Sequence, residues 1–466
     1  MTDPYYAAEG VILHVGDSLD ILPTLPDASV DAVVCDPPYE LGFMGKTWDA
    51  SGIAYNVALW RECWRVLKPG GHLLAFGGTR TYHRMTCAIE DAGFEIRDSL
   101  HWIYGGGFPK GQDIAKSIDK RRDDRQQVLQ VTAFIAAARD AAGWTTKRID
   151  DLFGFNGMAS HWTAIASKAA SVPTPEQWDR LKTELAFDDT EIRPLVAELN
   201  GRKGALGEGW ALREVIGTRN APVRKSDHLY GDFSGDDRIT APATHDARQW
   251  QGWNTALKPA HEPIVLARKS TGFNTTVANV LEHGTGALNV DGCRTAAGQD
   301  YRDKCASVVG LASNRNGDTL GEWTGTREDS AHPAGRWPTN VLFGHGPDCS
   351  DACSPGCPVA ELGAEARFFP VFRYEAKAPA SERPRLADGT AHTTVKPLAL
   401  MRWLVRLITP PGGSVLDPFA GSGTTLEASR LEGFRSIGIE MGAAHAELCR
   451  VRLDKPYMVG LFDDTA

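Results

Sequence analysis

Hydrophobic residues near the start of the chain fall into short runs that are separated by an amphipathic segment. Runs of mostly apolar residues occupy positions 11–15, 30–35 and 72–76. Between the second and third runs, residues 55–67 place apolar side chains on one side of a predicted helix. Short buried runs that alternate with amphipathic helices are typical of a parallel sheet whose two faces are covered by helices.

The last part of the chain repeats this pattern. Helices are predicted over 398–408 and 424–431, and short strands over 414–416 and 435–439. Each end of the chain is too small to bury a convincing core alone. The sequence therefore predicts an α/β, Rossmann-like fold in which one sheet is assembled from both ends of the chain.

The middle of the chain differs from both ends, because it is rich in Gly, Pro, Trp and Arg and has few periodic segments. We predict that residues 1–105 and 391–466 form two halves of one domain and that residues 106–390 are inserted between them. Within the insertion, residues 128–190 are predicted to be helical. Residues 145–164 have the rhythm of a helix-turn-helix, and a packed helical insertion without DNA contacts explains them equally well.

The composition is that of a globular protein, since 42% of its 466 residues are hydrophobic and 23% are charged. The start of the chain lacks the features of a signal peptide, and no apolar run has the length of a membrane span. Nine scattered cysteines are typical of a reducing compartment, so a cytoplasmic protein is expected. The formal net charge is -9, but eight Lys or Arg between residues 367 and 406 offer a local basic surface.

A glycine loop between a predicted strand and a predicted helix gives the strongest chemical signal. Residues 416–425 read LDPFAGSGTT, in which Gly421 and Gly423 permit a tight turn and a close approach of a ligand to the backbone. Glu440 ends the next strand, where an acidic side chain can accept hydrogen bonds from ribose hydroxyls. The loop lacks the Gly-Lys-Ser/Thr ending of a phosphate-transfer loop and the full dinucleotide fingerprint.

The second signal is Asp36-Pro37-Pro38-Tyr39, directly after a predicted strand. The exocyclic amine of a base is a poor nucleophile because its lone pair is delocalised into the ring. A carboxylate and a rigid backbone carbonyl, here that of Pro37, can accept hydrogen bonds from this amine and favour a pyramidal nitrogen. The Tyr39 ring can stack on the base. Alone, this motif is also compatible with a proline-rich turn after a strand.

Together, these motifs resemble those of beta-class DNA amino-methyltransferases, in which the catalytic motif precedes the cofactor motif and a target-recognition region lies between them. Further matches are Gly16-Asp17-Ser18, residues 67–71, residues 392–397 and residues 257–263. The last of these implies that residues 255–270 return to the catalytic sheet. Residues 392–394 read His-Thr-Thr where the family more often has His-Pro-Thr.

The resemblance implies S-adenosylmethionine as cofactor and a flipped base as substrate. It implies that the target base is held by Asp36, Pro37, Pro38 and Tyr39. It also implies a cofactor pocket formed by Asp17, Thr394, Lys396, Pro397, Asp417, Pro418, Phe419, Gly421, Gly423, Thr424 and Glu440, with Asp17 near the adenine amine and Glu440 at the ribose.

Asp rather than Ser at position 36 favours adenine N6 over cytosine N4 by the same resemblance. Cytosine C5 transfer is disfavoured, because the adjacent pair Cys357-Pro358 has the reverse of the usual Pro-Cys order and lies far from both motifs. A catalytically inactive DNA-binding protein and an RNA or protein methyltransferase remain alternatives. Duplex DNA is the expected partner, and a homodimer and a cognate restriction nuclease in another chain are open possibilities.

One further constellation has metal-ligand character. His345, Cys349, Cys353 and Cys357 recur at intervals of four residues. Four N and S ligands suit a structural zinc ion, although the spacing is not the usual Cys-x2-Cys. Free thiols in a loop are the alternative interpretation.

Overall fold

The computed structural model describes two compact units of the chain. One comprises residues 1–108 and 259–466, and the other comprises residues 109–258. Within them, the structure describes residues 3–8, 10–41, 50–105, 111–122, 124–167, 169–218, 238–307, 309, 312–315, 323–326, 331–346, 349, 352–354, 356–372, 383–386, 388–392 and 394–455.

The strands are β1 (Tyr6–Ala8), β2 (Val11–Val15), β3 (Val30–Cys35), β4 (Leu67–Phe76), β5 (Phe94–Ile103), β6 (Val215–Thr218), β7 (Arg238–Thr240), β8 (His261–Lys269), β9 (Ala312–Arg315), β10 (Trp323–Thr326), β11 (Val341–Gly344), β12 (Val371–Phe372), β13 (Ser414–Asp417) and β14 (Arg435–Glu440). The helices are α1 (Ser18–Ile21), α2 (Val57–Val66), α3 (Tyr82–Asp91), α4 (Ile114–Lys120), α5 (Arg125–Ala141), α6 (Thr146–Phe153), α7 (Ala159–Trp162), α8 (Pro175–Leu185), α9 (Arg193–Gly201), α10 (Glu208–Ala211), α11 (His245–Gln249), α12 (Thr276–His283), α13 (Gln299–Ala306), α14 (Pro358–Leu362), α15 (Leu398–Ile408), α16 (Thr424–Leu431) and α17 (Ala443–Leu453).

The larger unit is built on a ten-stranded sheet in the order β1-β2-β14-β13-β3-β4-β8-β5-β11-β12. Most neighbours are parallel, but β8 is antiparallel to both β4 and β5, and β1 is antiparallel to β2. The carboxyl ends of β2, β14, β13, β3, β4, β5 and β11 therefore meet at one edge of the sheet. Because β8 runs the other way, its first residues lie at this same edge.

Both faces of the sheet are covered, as the apolar runs predict. In β3, Val33 and Cys35 pack into a core with α2 and α3, whereas Ala32 and Val34 pack into a second core with α15 on the opposite face. All six residues of β3 are buried. A strand that is buried on both faces reads as a continuous apolar run, and this is why residues 30–35 show no polar alternation.

The two ends of the chain meet at the centre of the sheet, where β13 pairs with β3 and β14 pairs with β2. The predicted α/β sheet built from both chain ends is therefore confirmed. The smaller unit of the structure, residues 109–258, is shorter than the predicted insertion of residues 106–390. It ends at residue 258, because β8, β11 and β12 hydrogen-bond into the sheet and bring residues 259–390 into the larger unit.

The smaller unit is mainly helical, with a core formed by α5 to α9 around the buried Trp178. Trp178 Nε1 donates to Asp189 Oδ2 at 2.9 Å, which satisfies the buried indole N–H. The segment predicted as a helix-turn-helix forms α6, a left-handed Gly154 and then α7 of only four residues. Trp162 of α7 is buried in the core of the smaller unit, and a DNA-binding role of this segment stays a prediction.

No helix among the described residues is both long and apolar enough to span a membrane.

Candidate active site

The acidic residues of the two motifs lie at one edge of the sheet on neighbouring strands. Asp36 directly follows β3, and Asp417 ends β13, which pairs with β3 through Leu416 and Val33. Glu440 ends β14 and pairs with Val15, just before Asp17. Residues that are hundreds of positions apart in the sequence therefore surround one region at the carboxyl ends of the central strands.

The glycine loop is held in place by the Glu440 carboxylate. Its two oxygens accept hydrogen bonds from the backbone N–H groups of Gly421 and Gly442, each at 2.8 Å. Gly421 and Gly423 have φ angles of +54° and +80°, in the left-handed region. A Cβ added to Gly423 would collide with the Cys449 sulfur. A carboxylate has about four acceptor positions, so Glu440 keeps capacity for further donors such as hydroxyls.

Asp417 is buried at the start of this loop, with 2% of its surface exposed. Its Oδ1 accepts a hydrogen bond from the Phe419 N–H at 2.9 Å. Burial raises the pKa of Asp417 to about 7, and the charges of Asp36 and Glu440 also raise it, against the lowering effect of hydrogen bonds from Thr425 and Phe419. The two motifs are therefore close enough for the charge of Asp36 to raise the pKa of Asp417.

Of the remaining predicted cofactor residues, Asp17 and Thr424 lie next to the loop. The Asp17 carboxylate caps α1 by accepting from the Leu19 N–H at 2.9 Å. Ser18 Oγ donates to the Pro418 carbonyl at 2.5 Å, and this bond ties the end of β2 to the glycine loop. Thr424 is buried at the start of α16, and Pro397 is buried immediately before α15.

His392 lies against the glycine loop, where a Cβ added to Gly421 would be 3.4 Å from its Nε2. Its Nδ1 lies 2.6 Å from the carbonyl oxygen of Thr394, whose side chain is exposed. Burial and then the nearby His445 lower the pKa of His392 to about 4. The His392 imidazole that lines this region is therefore uncharged at physiological pH. Its neighbour Thr393 lies outside the described residues.

Lys396, which the resemblance assigns to the cofactor pocket, contacts the predicted base-site residues in this structure. Its ammonium lies 2.6 Å from Asp36 Oδ2 and 3.1 Å from the Tyr39 hydroxyl, on the side of the predicted base site. Burial lowers the pKa of Lys396, but the Asp36 and Glu262 carboxylates raise it by more, so the net shift is upward. The charge of this ammonium is thus stabilised by the carboxylates that it contacts.

Glu262 is a member of this cluster that the motif analysis did not identify. It accepts a hydrogen bond from the Tyr39 hydroxyl at 2.8 Å, and its carboxylate lies 3.4 Å from the Lys396 ammonium. The Tyr104 hydroxyl donates to its other oxygen at 3.4 Å. Glu262 is the second residue of the antiparallel β8. The available signal was its place in the family-like segment 257–263, but the direction of β8 could not be read from the sequence.

Asp36 has one oxygen engaged and one free. Oδ2 is paired with Lys396, whereas Oδ1 is buried and has no hydrogen-bond partner among the residues that the structure describes. The neighbouring backbone is held firmly, since Thr81 Oγ1 donates to the Tyr39 carbonyl at 2.7 Å. A buried carboxylate oxygen without a partner is costly, and a ligand that brings an N–H donor would satisfy it.

The structure also brings together the four predicted metal ligands. The ligand atoms of His345, Cys349, Cys353 and Cys357 all lie within 4.8 Å of one another. They lie after β11, two strands beyond β8 in the sheet.

Comparison with known proteins agrees with this arrangement. A family model described as DNA methylase, whose label covers N6 and N4 methyltransferases, matches residues 30–131 and 207–450. The match covers more than half of the chain and includes both motifs. The chain belongs to this family. The unmatched residues 132–206 of this DNA methylase contain most of the helical core of the smaller unit.

Relatives of this DNA methylase include two type II methyltransferases. M2.LlaDCHI of Lactococcus lactis subsp. cremoris is 28% identical over 120 residues, which are 22% of this chain and 45% of the relative. M.ScaI of Streptomyces caespitosus is 35% identical over 97 residues, which are 21% of this chain and 30% of the relative. The matched part therefore spans less than half the length of either relative.

The solved structure of PvuII DNA methyltransferase, described as cytosine-N4-specific, aligns over 98% of this chain and 90% of that chain, with 13% identity and a TM-score of 0.39. A likeness of this strength does not indicate which base this methylase modifies. The predicted membership in the DNA amino-methyltransferases is confirmed, and the family model covers both adenine N6 and cytosine N4.

Proposed function

We propose that this DNA methylase transfers a methyl group from S-adenosylmethionine to the exocyclic N6 of adenine in duplex DNA. The observation that carries the proposal is the buried Oδ1 of Asp36, which has no hydrogen-bond partner within the described part of the chain. It lies beside Tyr39 at the end of a strand that adjoins the glycine-loop strand.

The glycine-loop side has the chemistry that S-adenosylmethionine requires. This molecule carries positive charge on its sulfonium and its amino group, for which Asp417 offers a carboxyl group at the loop, and it carries ribose hydroxyls, for which Glu440 offers acceptors. At Gly421 and Gly423 an ordinary side chain would be strained or would collide with a neighbour. Because glycine has no side chain, the backbone at these positions stays uncovered. When bound, S-adenosylmethionine supplies an electrophilic methyl group. Asp17 and Glu440 would hold its adenosine part, and Asp417 and the loop its methionine part.

The Asp36 side would prepare the amine. Asp36 Oδ1 accepts a hydrogen bond from the base NH2, and the Pro37 carbonyl accepts the second, so the nitrogen lone pair turns away from the ring toward the methyl donor. Positioning supplies most of the rate enhancement in such a direct displacement. The nitrogen would bond to the methyl carbon as the carbon–sulfur bond breaks and S-adenosylhomocysteine leaves, and the surplus proton on the nitrogen would pass to Asp36 Oδ1 and then to solvent. The Tyr39 ring is placed to stack on the base.

Lys396 and Glu262 would act as positioning residues. Lys396 holds Asp36 Oδ2 at 2.6 Å and thereby directs the other oxygen away from itself. Glu262 lies against the same ammonium and fixes the Tyr39 hydroxyl at 2.8 Å. The Lys396 charge is thus shared between two carboxylates. Lys396 holds the Asp36 carboxylate and Glu262 holds the Tyr39 ring, although neither touches the reacting atoms.

The choice of adenine rests on the aspartate at position 36, where cytosine-N4 enzymes of the resembling class more often have serine. Target choice is proposed to depend on the 109–258 unit, through phosphate contacts and base-edge contacts. This assignment is supported by the compactness of that unit and by the absence of residues 132–206 from the family match.

The proposal is tested by offering purified protein methyl-labelled S-adenosylmethionine with unmethylated duplex DNA, RNA and protein substrates in competition. We expect label in DNA, and digestion to nucleosides should yield N6-methyladenine. Label in RNA or protein instead would contradict the substrate class. N4-methylcytosine without N6-methyladenine would contradict the base while leaving the family intact.

A further inference from the structure

A cluster of one imidazole and three thiols lies outside the proposed active site. His345, Cys349, Cys353 and Cys357 all belong to the larger unit, and their ligand atoms converge to within 4.8 Å of one another. We infer that these four side chains bind a single structural zinc ion.

The separations match a tetrahedral site. His345 Nδ1 lies 3.4 Å from Cys353 Sγ and 3.7 Å from Cys357 Sγ. With Zn–S of about 2.3 Å and Zn–N of about 2.0–2.1 Å, a regular tetrahedron has N···S edges of about 3.5 Å and S···S edges of about 3.8 Å. The His345 nitrogen therefore already lies at the distance from two of the sulfurs that one ion requires, and the four donor atoms all lie within 4.8 Å of one another.

The backbone around the cluster is shaped to present sulfur atoms. The Cys349 N–H donates to the Gly346 carbonyl and the Cys357 N–H donates to the Ser354 carbonyl, each at 3.1 Å. In addition, the Gly346 N–H donates to Cys357 Sγ at 3.3 Å and the Ser354 N–H donates to Cys349 Sγ at 3.2 Å. Amide donors directed at cysteine sulfur stabilise the thiolate form that binds metal, in the way that outer-shell hydrogen bonds support metal sites generally.

The segment that carries the cluster has little apolar core to hold it. Neither α14, which begins immediately after Cys357, nor the 3-10 turn Gly363–Phe368 contains a buried residue. Segments of this kind are commonly held by a metal ion or a disulfide. The segment is nevertheless packed tightly against the sheet, since a Cβ added to Gly105 would lie 2.8 Å from Pro358 Cδ.

This position gives the ion a structural role next to the active site. Gly105 follows Tyr104, whose hydroxyl donates to Glu262. The zinc loop would therefore hold the end of β5 in the place where one of its residues supports the Glu262 carboxylate. All four ligand positions are occupied by protein, which is the arrangement of a closed structural site and not of a catalytic one.

Zinc is favoured over other ions by the donor set. Three thiolates and one imidazole suit Zn²⁺, whereas Mg²⁺ and Ca²⁺ prefer oxygen ligands. A disulfide would use only two of the three sulfurs, and it would not explain why the His345 imidazole lies against two of them.

The test is elemental analysis of the purified full-length protein, under reducing conditions and without a metal-affinity tag. We expect one zinc per chain. Cys353→Ser, at an exposed position, should lower the zinc content at least tenfold and release the rest to a chelator. Cys87→Ser, an exposed cysteine outside the cluster, should retain one zinc.

A second readout is independent of protein yield. Chelation of the wild-type protein should increase amide hydrogen exchange in residues 345–368 and leave β3 protected, and added zinc should restore the slow exchange. Absence of stoichiometric metal after addition of zinc would overturn the inference. So would iron in place of zinc, a native disulfide among the three cysteines, or full zinc content in Cys353→Ser. Methyl transfer is not needed for either readout, so failure here is distinct from failure of the proposed function.

Discussion

The two sides of the active edge hold their carboxylates by different means. On the glycine-loop side, Glu440 and Asp417 accept hydrogen bonds from backbone N–H groups. On the other side, Asp36 and Glu262 are held by the side chain of Lys396. A backbone-held group requires only a local glycine turn, whereas a group held by side chains depends on residues that are brought together from distant parts of the fold.

The glycine-loop side of the site can be recognised in the sequence, because it is made of local features. The glycine spacing, the aspartate before it and the acidic end of the next strand are local features, and all of them stand out between residues 416 and 440. The Asp36 cluster draws on residues 36–39, 262 and 396. Of these, only the motif of residues 36–39 can be recognised in the sequence without its neighbours in the fold.

The largest expected effect comes from removing the free acceptor on the side held by side chains. Asp36→Asn should lower kcat about 10²–10³-fold, because an amide cannot both receive the proton and favour the pyramidal amine. The dissociation constant for S-adenosylmethionine should change little, since the cofactor is assigned to the other side. Single-turnover kinetics and equilibrium binding measure the two quantities. Asp27→Asn, at an exposed surface position, is the matched control, and normal turnover by Asp36→Asn would refute the assignment.

The next effect concerns the cation between the carboxylates. Lys396→Met leaves Asp36 and Glu262 close together without a counter-charge, and a misplaced acceptor can lower the rate about 10²-fold. Adding Glu262→Gln to this variant removes one of the two carboxylates and should restore part of the lost kcat. Glu262→Gln alone should cost less than about tenfold. A double-mutant cycle in kcat measures the coupling, and additive losses would show that the three side chains do not act together.

A smaller effect is expected on the side held by the backbone. Glu440→Gln turns one acceptor into an NH2 group facing an amide N–H, so the loop loses a hydrogen bond worth about 1–2 kcal/mol. The dissociation constant for S-adenosylmethionine should rise about tenfold, with kcat at saturating cofactor nearly unchanged. Isothermal titration and steady-state kinetics separate the two. Glu447→Gln makes the same change of charge away from the loop, and it should bind the cofactor normally.

The last expected effect is on stability and not on catalysis, and it depends on pH. The pKa of Asp417 is raised from 3.8 to about 7, so between these values the folded state binds a proton that the unfolded state releases. Its contribution to stability is therefore greatest at low pH and is lost as the pH rises toward 7. The difference in unfolding free energy between the wild type and Asp417→Asn should fall by about 1.3 kcal/mol per pH unit between pH 5 and 6 and should level off above pH 7. Urea unfolding measures it, and a constant difference would contradict the buried state of Asp417.

The sheet was predictable because its central strands are apolar on both faces. Residues 30–35, 398–408 and 424–431 form the expected strand and helices, and all three have the predicted bounds. The contribution of residues 259–390 to the sheet was less visible. There, β11 and β12 have only four and two residues, so their pairing is decided by tertiary contacts and not by local pattern.

The site was predictable only in part, for the same physical reason. The motif residues Asp36 and Asp417 follow strands whose direction is fixed by parallel pairing, so their convergence could be expected. Glu262 lies at the start of a strand that runs the opposite way, and local sequence does not encode that direction. The position of Lys396 beside Asp36 depends on how the segment before α15 crosses the sheet edge, which is again a tertiary property.

The most direct test of the account is modification-sensitive sequencing of DNA from methylation-deficient cells that express either the wild-type chain or Asp36→Asn. We predict N6-methyladenine at a defined short sequence in cells with the wild-type chain and unmodified DNA at that sequence in cells with the variant. The same methylated adenines in both samples, or methylation confined to cytosine, would contradict the central claim.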